Sequence, residues 1–338
     1  MVLNIGIIGL GFMGSDHVKR VATRINGAKL AGVCDLKKDL AEKYAKKYGA
    51  KVYENGIDLI DSPDIDAVMV VTRPHETHEQ FVLHAIEVGK YVFCEKPLTL
   101  TAAGCKKIVD AEVKHGKRLV QVGFMRRYDP GYVEIKEAID NHTYGEPLLI
   151  HATHRNATVD ETYDTSMSII ETAIHEADVL HWLLGEDYES GTTFLPKKQT
   201  KFTHSKLHDP QIITLDTKSG VHIDLEVFVN DQIGYDINCS VVCENGIINL
   251  RSPFVTSVKK GLHDSTYIPA DCTERFKTAY DLELQAWVNG VLADKITGPT
   301  SWDGLVAMVT CDALAKSRDN DAKRIPIVLP DSKPALYE

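Results

Sequence analysis

Between residues 165 and 184 the sequence sets Glu171, His175 and Asp178 at i, i+4 and i+7, a spacing that puts all three on one stripe of an α-helix. An acid one turn before a histidine can orient the imidazole and stabilise the imidazolium, leaving the other ring nitrogen to take a proton. Oxidation of an alcohol needs such a base, because hydride leaves the carbon while the hydroxyl proton must go elsewhere. A solvent-facing ion pair on an amphipathic helix would show the same stripe. A second candidate is Lys96, in Cys94-Glu95-Lys96-Pro97-Leu98. The residue before a proline is held extended, and an ammonium at a strand end can bind a hydroxyl oxygen and stabilise developing alkoxide character. Taken by itself, a lysine–proline pair after a strand is more often loop punctuation.

Near the start, Gly9-Leu10-Gly11-Phe12-Met13-Gly14 stands between a strand pattern and a helical one. There one glycine permits the tight turn, another lets backbone N–H groups approach a pyrophosphate, and the last allows close helix–strand packing. The helix N-terminus adds partial positive charge. Asp35 follows Gly14 by 21 residues, where a carboxylate accepts from the adenosine ribose hydroxyls and repels a 2′-phosphate. Lys37 and Lys38 partly offset that repulsion, so NAD is expected and NADP disfavoured. The competing reading is a plain glycine turn with Asp35 as a helix N-cap. Strand carboxyl ends face the ligand crevice of an open α/β sheet, so Thr72, Glu95 and Lys96 join Gly9, Gly11, Phe12, Met13, Gly14 and Asp35 as the expected cofactor lining.

Two further clusters are polar where a wall would be apolar: Gly123-Phe124-Met125-Arg126-Arg127-Tyr128 and His154-Arg155-Asn156. Both offer donors suited to a ring of hydroxyls, and either pattern also suits a solvated loop.

The elements that must position these groups follow from periodicity. Over residues 1–122, nearly continuous apolar runs at Asn4–Gly9, Leu30–Asp35, Val52–Tyr53, Ala67–Thr72, Tyr91–Cys94 and Leu119–Val122 alternate with helical patterns. That rhythm predicts an α/β Rossmann domain with a doubly wound parallel sheet. Residues 123–338 read as an α+β domain with a large, mostly antiparallel open sheet. Helices are expected at 132–139, 165–184, 276–292 and 302–317. Consecutive strands are expected at 212–217, 222–229, 237–243 and 247–250.

Composition narrows the function classes. A chain of 338 residues exceeds one compact core. Its net charge of −10, from 48 acidic and 38 basic side chains, repels polyanions, so nucleic acid is not the expected partner, whereas a neutral substrate is indifferent to that field. No apolar run is long enough to span a bilayer, and the N-terminal residues lack the pattern of a signal peptide. The seven cysteines are scattered with no CxxC pair, as expected for buried thiols in a reducing cytoplasm. No metal site is implied.

Taken together, GLGFMG (9–14), CEKPL (94–98), GFMRRYDPGY (123–132), HRN (154–156) and ETAIHEADVLHWL (171–183) resemble the glucose–fructose oxidoreductase/inositol dehydrogenase family (Gfo/Idh/MocA) over essentially the whole chain. The similarity is greatest to its inositol 2-dehydrogenase branch. The resemblance implies NAD, a small neutral polyol, and a homotetramer assembled through the open sheet. It also implies Lys96 as the active-site lysine and His175 as the base. Arg126, His154 and Asn156 would contact the polyol, with Tyr235 and Tyr280 as weaker candidates. Alternatives are a different sugar or polyol on the same fold, a cofactor-binding sensor, and a NAD-dependent glycoside hydrolase. At one position the chain departs from the pattern: Glu171 stands where the family usually has Asp. The extra methylene moves the carboxylate by about one C–C bond, so Glu171 is expected to influence which inositol stereoisomer is accepted. The ratio of kcat/KM for myo- and scyllo-inositol should therefore change in Glu171→Asp; an unchanged ratio removes Glu171 from specificity.

Overall fold

The computed structural model describes residues 2–338. The chain groups into two compact units. The first runs to Met125 and takes in Tyr280–Met308 and Leu329–Glu338; the second comprises Arg126–Ala279 and Val309–Val328.

In the first unit, strands β1 (Leu3–Ile8), β2 (Ala28–Cys34), β3 (Lys51–Val52), β4 (Ala67–Val70), β5 (Tyr91–Glu95) and β6 (Val120–Gly123) form one sheet in the order β3-β2-β1-β4-β5-β6, every pair parallel. Helices α1 (Phe12–Thr23), α2 (Lys38–Tyr48), α3 (Gly56–Asp61), α4 (Thr77–Glu87) and α5 (Ala102–His115) make the crossovers. β4 and β5 are buried at every residue, which is why they read as unbroken apolar runs rather than alternating ones. The helix ends carry local signals: Asn55 and Thr101 cap the starts of α3 and α5, and Gly49 and Gly116 end α2 and α5 in the left-handed region. The strand order reverses between β1 and β4, the switch point at which ligands bind in such sheets.

In the second unit, α6 (Pro130–Asp140) begins on an Asp129 cap with proline at its first position. It is followed by β7 (Pro147–Arg155), a π-helical turn (Ser168–Ala173), α7 (Ile174–Leu184), β8 (Tyr188–Phe194), β9 (Gln211–Thr217), β10 (His222–Phe228), β11 (Asp236–Cys243) and β12 (Gly246–Asn249). A separate hairpin pairs β13 (Ser257–Lys260) with β14 (His263–Thr266), and α8 (Cys272–Arg275) and β15 (Ile325–Pro326) complete this unit, while α9 (Lys277–Leu292) falls mostly in the first unit and α10 (Ser301–Asp319) divides between the two after Met308. The large sheet runs β12-β11-β7-β10-β9-β8-β15. It is antiparallel except where β10 lies parallel to β7, so this sheet is mixed. In β9, β10 and β11 buried residues alternate with more exposed ones, the mark of a sheet covered on one face. Four strands escaped the sequence patterns, the two-residue β15 among them. β8, YESGTTF, is too polar to read as apolar alternation, and the eight residues of the β13–β14 hairpin are all exposed.

The expected continuous helix over 165–184 is corrected. A π turn occupies Ser168–Ala173 and regular α geometry starts only at Ile174. Glu171 therefore lies in a turn bonded from i to i+5, while His175 and Asp178 lie in the regular helix that follows.

No described helix is long and apolar enough to cross a membrane. All seven cysteines are free thiols, six of them buried.

The carboxyl-terminal residues are tied into the first unit by a buried carboxylate. Glu112, on α5, accepts from the Leu119 and Val120 amides at 2.7 and 2.8 Å, from Ser301, and from the Tyr337 hydroxyl at 3.0 Å. Those amides stand at the entry to β6, so one side chain joins a helix, a strand and the chain end. Removing only the hydroxyl, Tyr337→Phe, should cost ~1–2 kcal/mol and lower Tm by a few degrees. Thermal denaturation followed by circular dichroism reads this, and an unchanged Tm would show that the hydroxyl does not hold the terminus.

Candidate active site

The glycine turn after β1 meets the demands of a dinucleotide. Gly9 has φ +92°, and a Cβ there would lie 2.5 Å from the Val71 carbonyl oxygen; a Cβ at Gly14 would lie 2.0 Å from the Gly9 oxygen. Only glycine fits either position. A Cβ at Gly11 would meet nothing within 4 Å, so the space beyond this backbone is open. α1 starts at Phe12 with no acidic residue in its first turn and no side-chain cap, leaving its amides and positive end for an anion. Phe12 is exposed beside the turn. Asp35 is not a helix cap: α2 begins after Lys37. Its Oδ2 instead accepts from the Leu10 amide at 2.6 Å and its Oδ1 from the Lys37 amide at 2.8 Å. This holds the carboxylate against the glycine turn, with lone pairs remaining on each oxygen for ribose hydroxyls. These residues fit a dinucleotide.

At the carboxyl ends of β4 and β5 lies a cluster that the sequence showed only in part. His78, fully buried, has Nε2 at 2.9 Å from the Thr72 carbonyl and Nδ1 at 2.9 Å from the Pro97 carbonyl, so one imidazole spans the loops that follow the two strands. The Thr72 hydroxyl bonds that of Thr77 at 2.6 Å. His75 packs edge-on to His78, with ring centroids 5.1 Å apart. Burial, with His78, Lys96 and Arg73 nearby, pushes its pKa down to about 3, so it is a neutral hydrogen-bonding group at working pH. Glu95 is 6% exposed and accepts from His17 and from the Lys96 amide; it supports the strand end from below. Lys96 is partly buried. Tyr280 belongs to this unit, its hydroxyl 4.0 Å from the Met13 sulfur and the Arg20 guanidinium 5.1 Å from its ring centroid.

In the second unit the chain brings together Arg126, His154, His175 and Tyr235. Arg126 and His154 are 1% and 2% exposed. Arg126 donates to Glu176 and lies 3.0 Å from His154 Nδ1, which is 2.9 Å from the other Glu176 oxygen. The His154 ring stands 6.0 Å from that of His175 and 5.5 Å, edge-on, from that of Tyr235. Burial raises the Tyr235 phenol pKa, opposed by Arg126. Asp178 forms a two-bond pair with Arg127, at 3.0 and 2.5 Å. Glu171 stands in the π turn, half-buried, where its charge bears on Tyr163. Asn156 ties its backbone to Phe228 and Asp231 at 2.9 and 3.1 Å, and its Oδ1 is buried.

No local spacing singles out Glu176, because its partners Arg126 and His154 lie 50 and 22 residues away in the chain. The available signal was that α7 has almost no polar face: residues 174–180 are all buried, so any charge there needs a partner. Burial alone would raise the Glu176 pKa, but Arg126 and His154 outweigh it and hold the carboxyl below its ordinary 4.5. A carboxyl depressed on folding adds stability above its unfolded pKa and loses it as pH falls through the folded one. Glu176→Gln leaves Arg126 without its counter-charge and should cost ~3–5 kcal/mol at pH 7. Because the variant lacks this titration, the wild-type advantage should shrink in acid below about pH 4.5. Denaturant midpoints across pH check this, and a constant difference would assign the effect to shape rather than charge.

The chain matches the family model described as an oxidoreductase family, NAD-binding Rossmann fold, over residues 3–124, and the companion C-terminal alpha/beta domain over residues 136–327. It is 50% identical to an inositol 2-dehydrogenase of Serratia proteamaculans over 340 residues, covering 100% of this chain and 99% of that one. Its identity to an inositol 2-dehydrogenase of Burkholderia lata is 49%, with the same coverage. The crystal structure of myo-inositol dehydrogenase from Lactobacillus casei in complex with NAD(H) and myo-inositol superposes with a TM-score of 0.95 at 36% identity, covering all of both chains. With the glycine turn, the Asp35 carboxylate and both domain matches in hand, the chain belongs to the Gfo/Idh/MocA oxidoreductase family.

Proposed function

We propose that the protein oxidises one secondary hydroxyl of an inositol, myo- or scyllo-inositol, to the corresponding inosose with NAD. The observation that carries this reading is full-length similarity, at half of all positions, to inositol 2-dehydrogenases. Residues 1–122 serve the dinucleotide and residues 123–338 the polyol. Gly9, Gly11, Phe12, Met13 and Gly14 hold the pyrophosphate, and Asp35 takes the ribose hydroxyls. Thr72, Glu95 and Lys96 line the nicotinamide end. NAD, when bound, supplies the hydride acceptor. His175 takes the hydroxyl proton, and the Lys96 ammonium steadies the oxygen as negative charge develops on it. Arg126, His154, Asn156 and Tyr235 shape the polyol wall, and Glu171 contacts a ring hydroxyl or orients His175. Since Arg126 and His154 are already bound to Glu176, their part is a fixed wall rather than mobile donors, which suits a rigid ring substrate.

We place the protein in the cytoplasm, where seven free thiols are stable, and expect a homotetramer. The half-exposed face of the large sheet, with Leu149 and Ile247 exposed along β7 and β12, is the apolar surface a partner subunit would cover.

Purified protein with NAD should produce NADH from myo- or scyllo-inositol and much less from glucose, followed by absorbance. Lys96→Ala and His175→Ala should each lower kcat by about 100-fold or more while still binding NAD. No NADH from either inositol, despite NAD binding, would move the substrate to another polyol, and near wild-type kcat in either variant would cancel that residue's role.

A further inference from the structure

On α1, directly after the glycine turn, His17 is fully buried. Its ring lies edge-on to Phe93 and Tyr280, with centroids 5.6 and 5.9 Å away. Such surroundings favour a hydrocarbon side chain, and an imidazole there needs a polar reason. The reason is Glu95: His17 Nε2 lies 2.7 Å from its Oε1, so Nε2–H donates to the carboxylate. The second oxygen, Oε2, accepts from the backbone amide of Lys96 at 3.2 Å. β6 ends beside this carboxylate at Gly123, where a Cβ would approach the Glu95 carboxyl carbon and Oε2 to 3.2 Å. The buried line therefore runs from the helix that follows the glycine turn, through His17 and Glu95, to the amide of the lysine.

We propose that His17 is a positioning residue for Lys96, acting through Glu95. The inference rests on the reading that Lys96 serves the reaction. A carboxylate with two oxygens can rotate about its last bond, and a single bond to the Lys96 amide does not stop it. Held at the other oxygen by a ring that cannot itself move, it has one orientation, and the backbone turn between residues 95 and 96 is fixed with it. Removing the ring leaves a buried carboxylate that must re-pair, and the amide it reorients toward is that of Lys96. The effect of losing His17 is thus a change in the environment of one ammonium group, with the glycine turn untouched.

Competitive acetylation of the whole protein with acetic anhydride, read lysine by lysine by peptide mass spectrometry, tests this without substrate or cofactor. Relative to Lys197 and Lys198, the Lys96 rate should change by about three-fold or more in His17→Leu. His17→Gln, whose amide can donate to Glu95 from nearly the same place, should return it to within about two-fold of wild type. In turnover, His17→Leu should lower kcat by about 10- to 100-fold while the Kd for NAD stays within about three-fold. An unchanged Lys96 rate in a His17→Leu protein that keeps its Tm overturns the proposal, as does an NAD affinity that falls in step with kcat. If His17→Leu does not fold, Glu95→Gln takes its place, with the same expected change and the same overturning result. Lys96→Ala separates the two levels. Full turnover in that variant overturns the role of Lys96 in the reaction, while the acetylation rates still decide whether His17 controls the lysine's surroundings.

Discussion

A carboxylate taken out of water keeps its charge only when donors surround it, and that constraint organises both units of this chain. Glu112 gathers two backbone amides and two hydroxyls, and so fixes the entry to β6 and the end of the chain together. Glu95 binds one imidazole and one amide at the end of β5. Glu176 is enclosed by Arg126 and His154, and Asp178 by Arg127. Each acid stands where a strand or helix must deliver a side chain at a set angle. The apolar core determines that the elements pack, while these bonds determine where their ends point.

The two units use the constraint differently. In the first, Glu95 and His78 lie beneath the loops after β4 and β5, and the groups they hold are backbone atoms: the Lys96 amide and the Thr72 and Pro97 carbonyls. Backbone restraint of this kind fixes the path of the loops that carry Thr72 and Lys96. In the second, Glu176 holds side chains directly, so Arg126 and His154 are fixed by one carboxylate. On the proposed reading, a ring substrate carrying a hydroxyl on every carbon would have many near-equivalent ways to bind, and side chains fixed in this way would admit fewer of them.

The π turn over Ser168–Ala173 adds a local departure from regular helix just before His175. Glu171 lies in this turn, its charge bearing on Tyr163, whose hydroxyl bonds Thr172. Turns of this type often mark functional sites.

By itself the sequence determined the parallel sheet, the glycine turn and the acidic residue that follows β2, and it named Lys96 and His175 as candidates. The sheet, the turn and the acid rest on local rules: apolar runs for β4 and β5, glycine spacing between a strand and a helix, and a carboxylate after a strand. It also pointed to Arg126, His154 and Tyr235, though not to what holds them. Tertiary structure alone decided the partners. Asp35 turned out to be bonded to Leu10 and Lys37 rather than capping a helix, and a parallel β7–β10 pair appeared in a sheet expected to be mostly antiparallel. His17, His78 and Glu176 gained roles that no spacing announced. Their partners lie 78, 19 and 50 residues away in the chain. A hydrogen bond between such distant residues depends on how the strands and helices pack, which a local pattern does not contain.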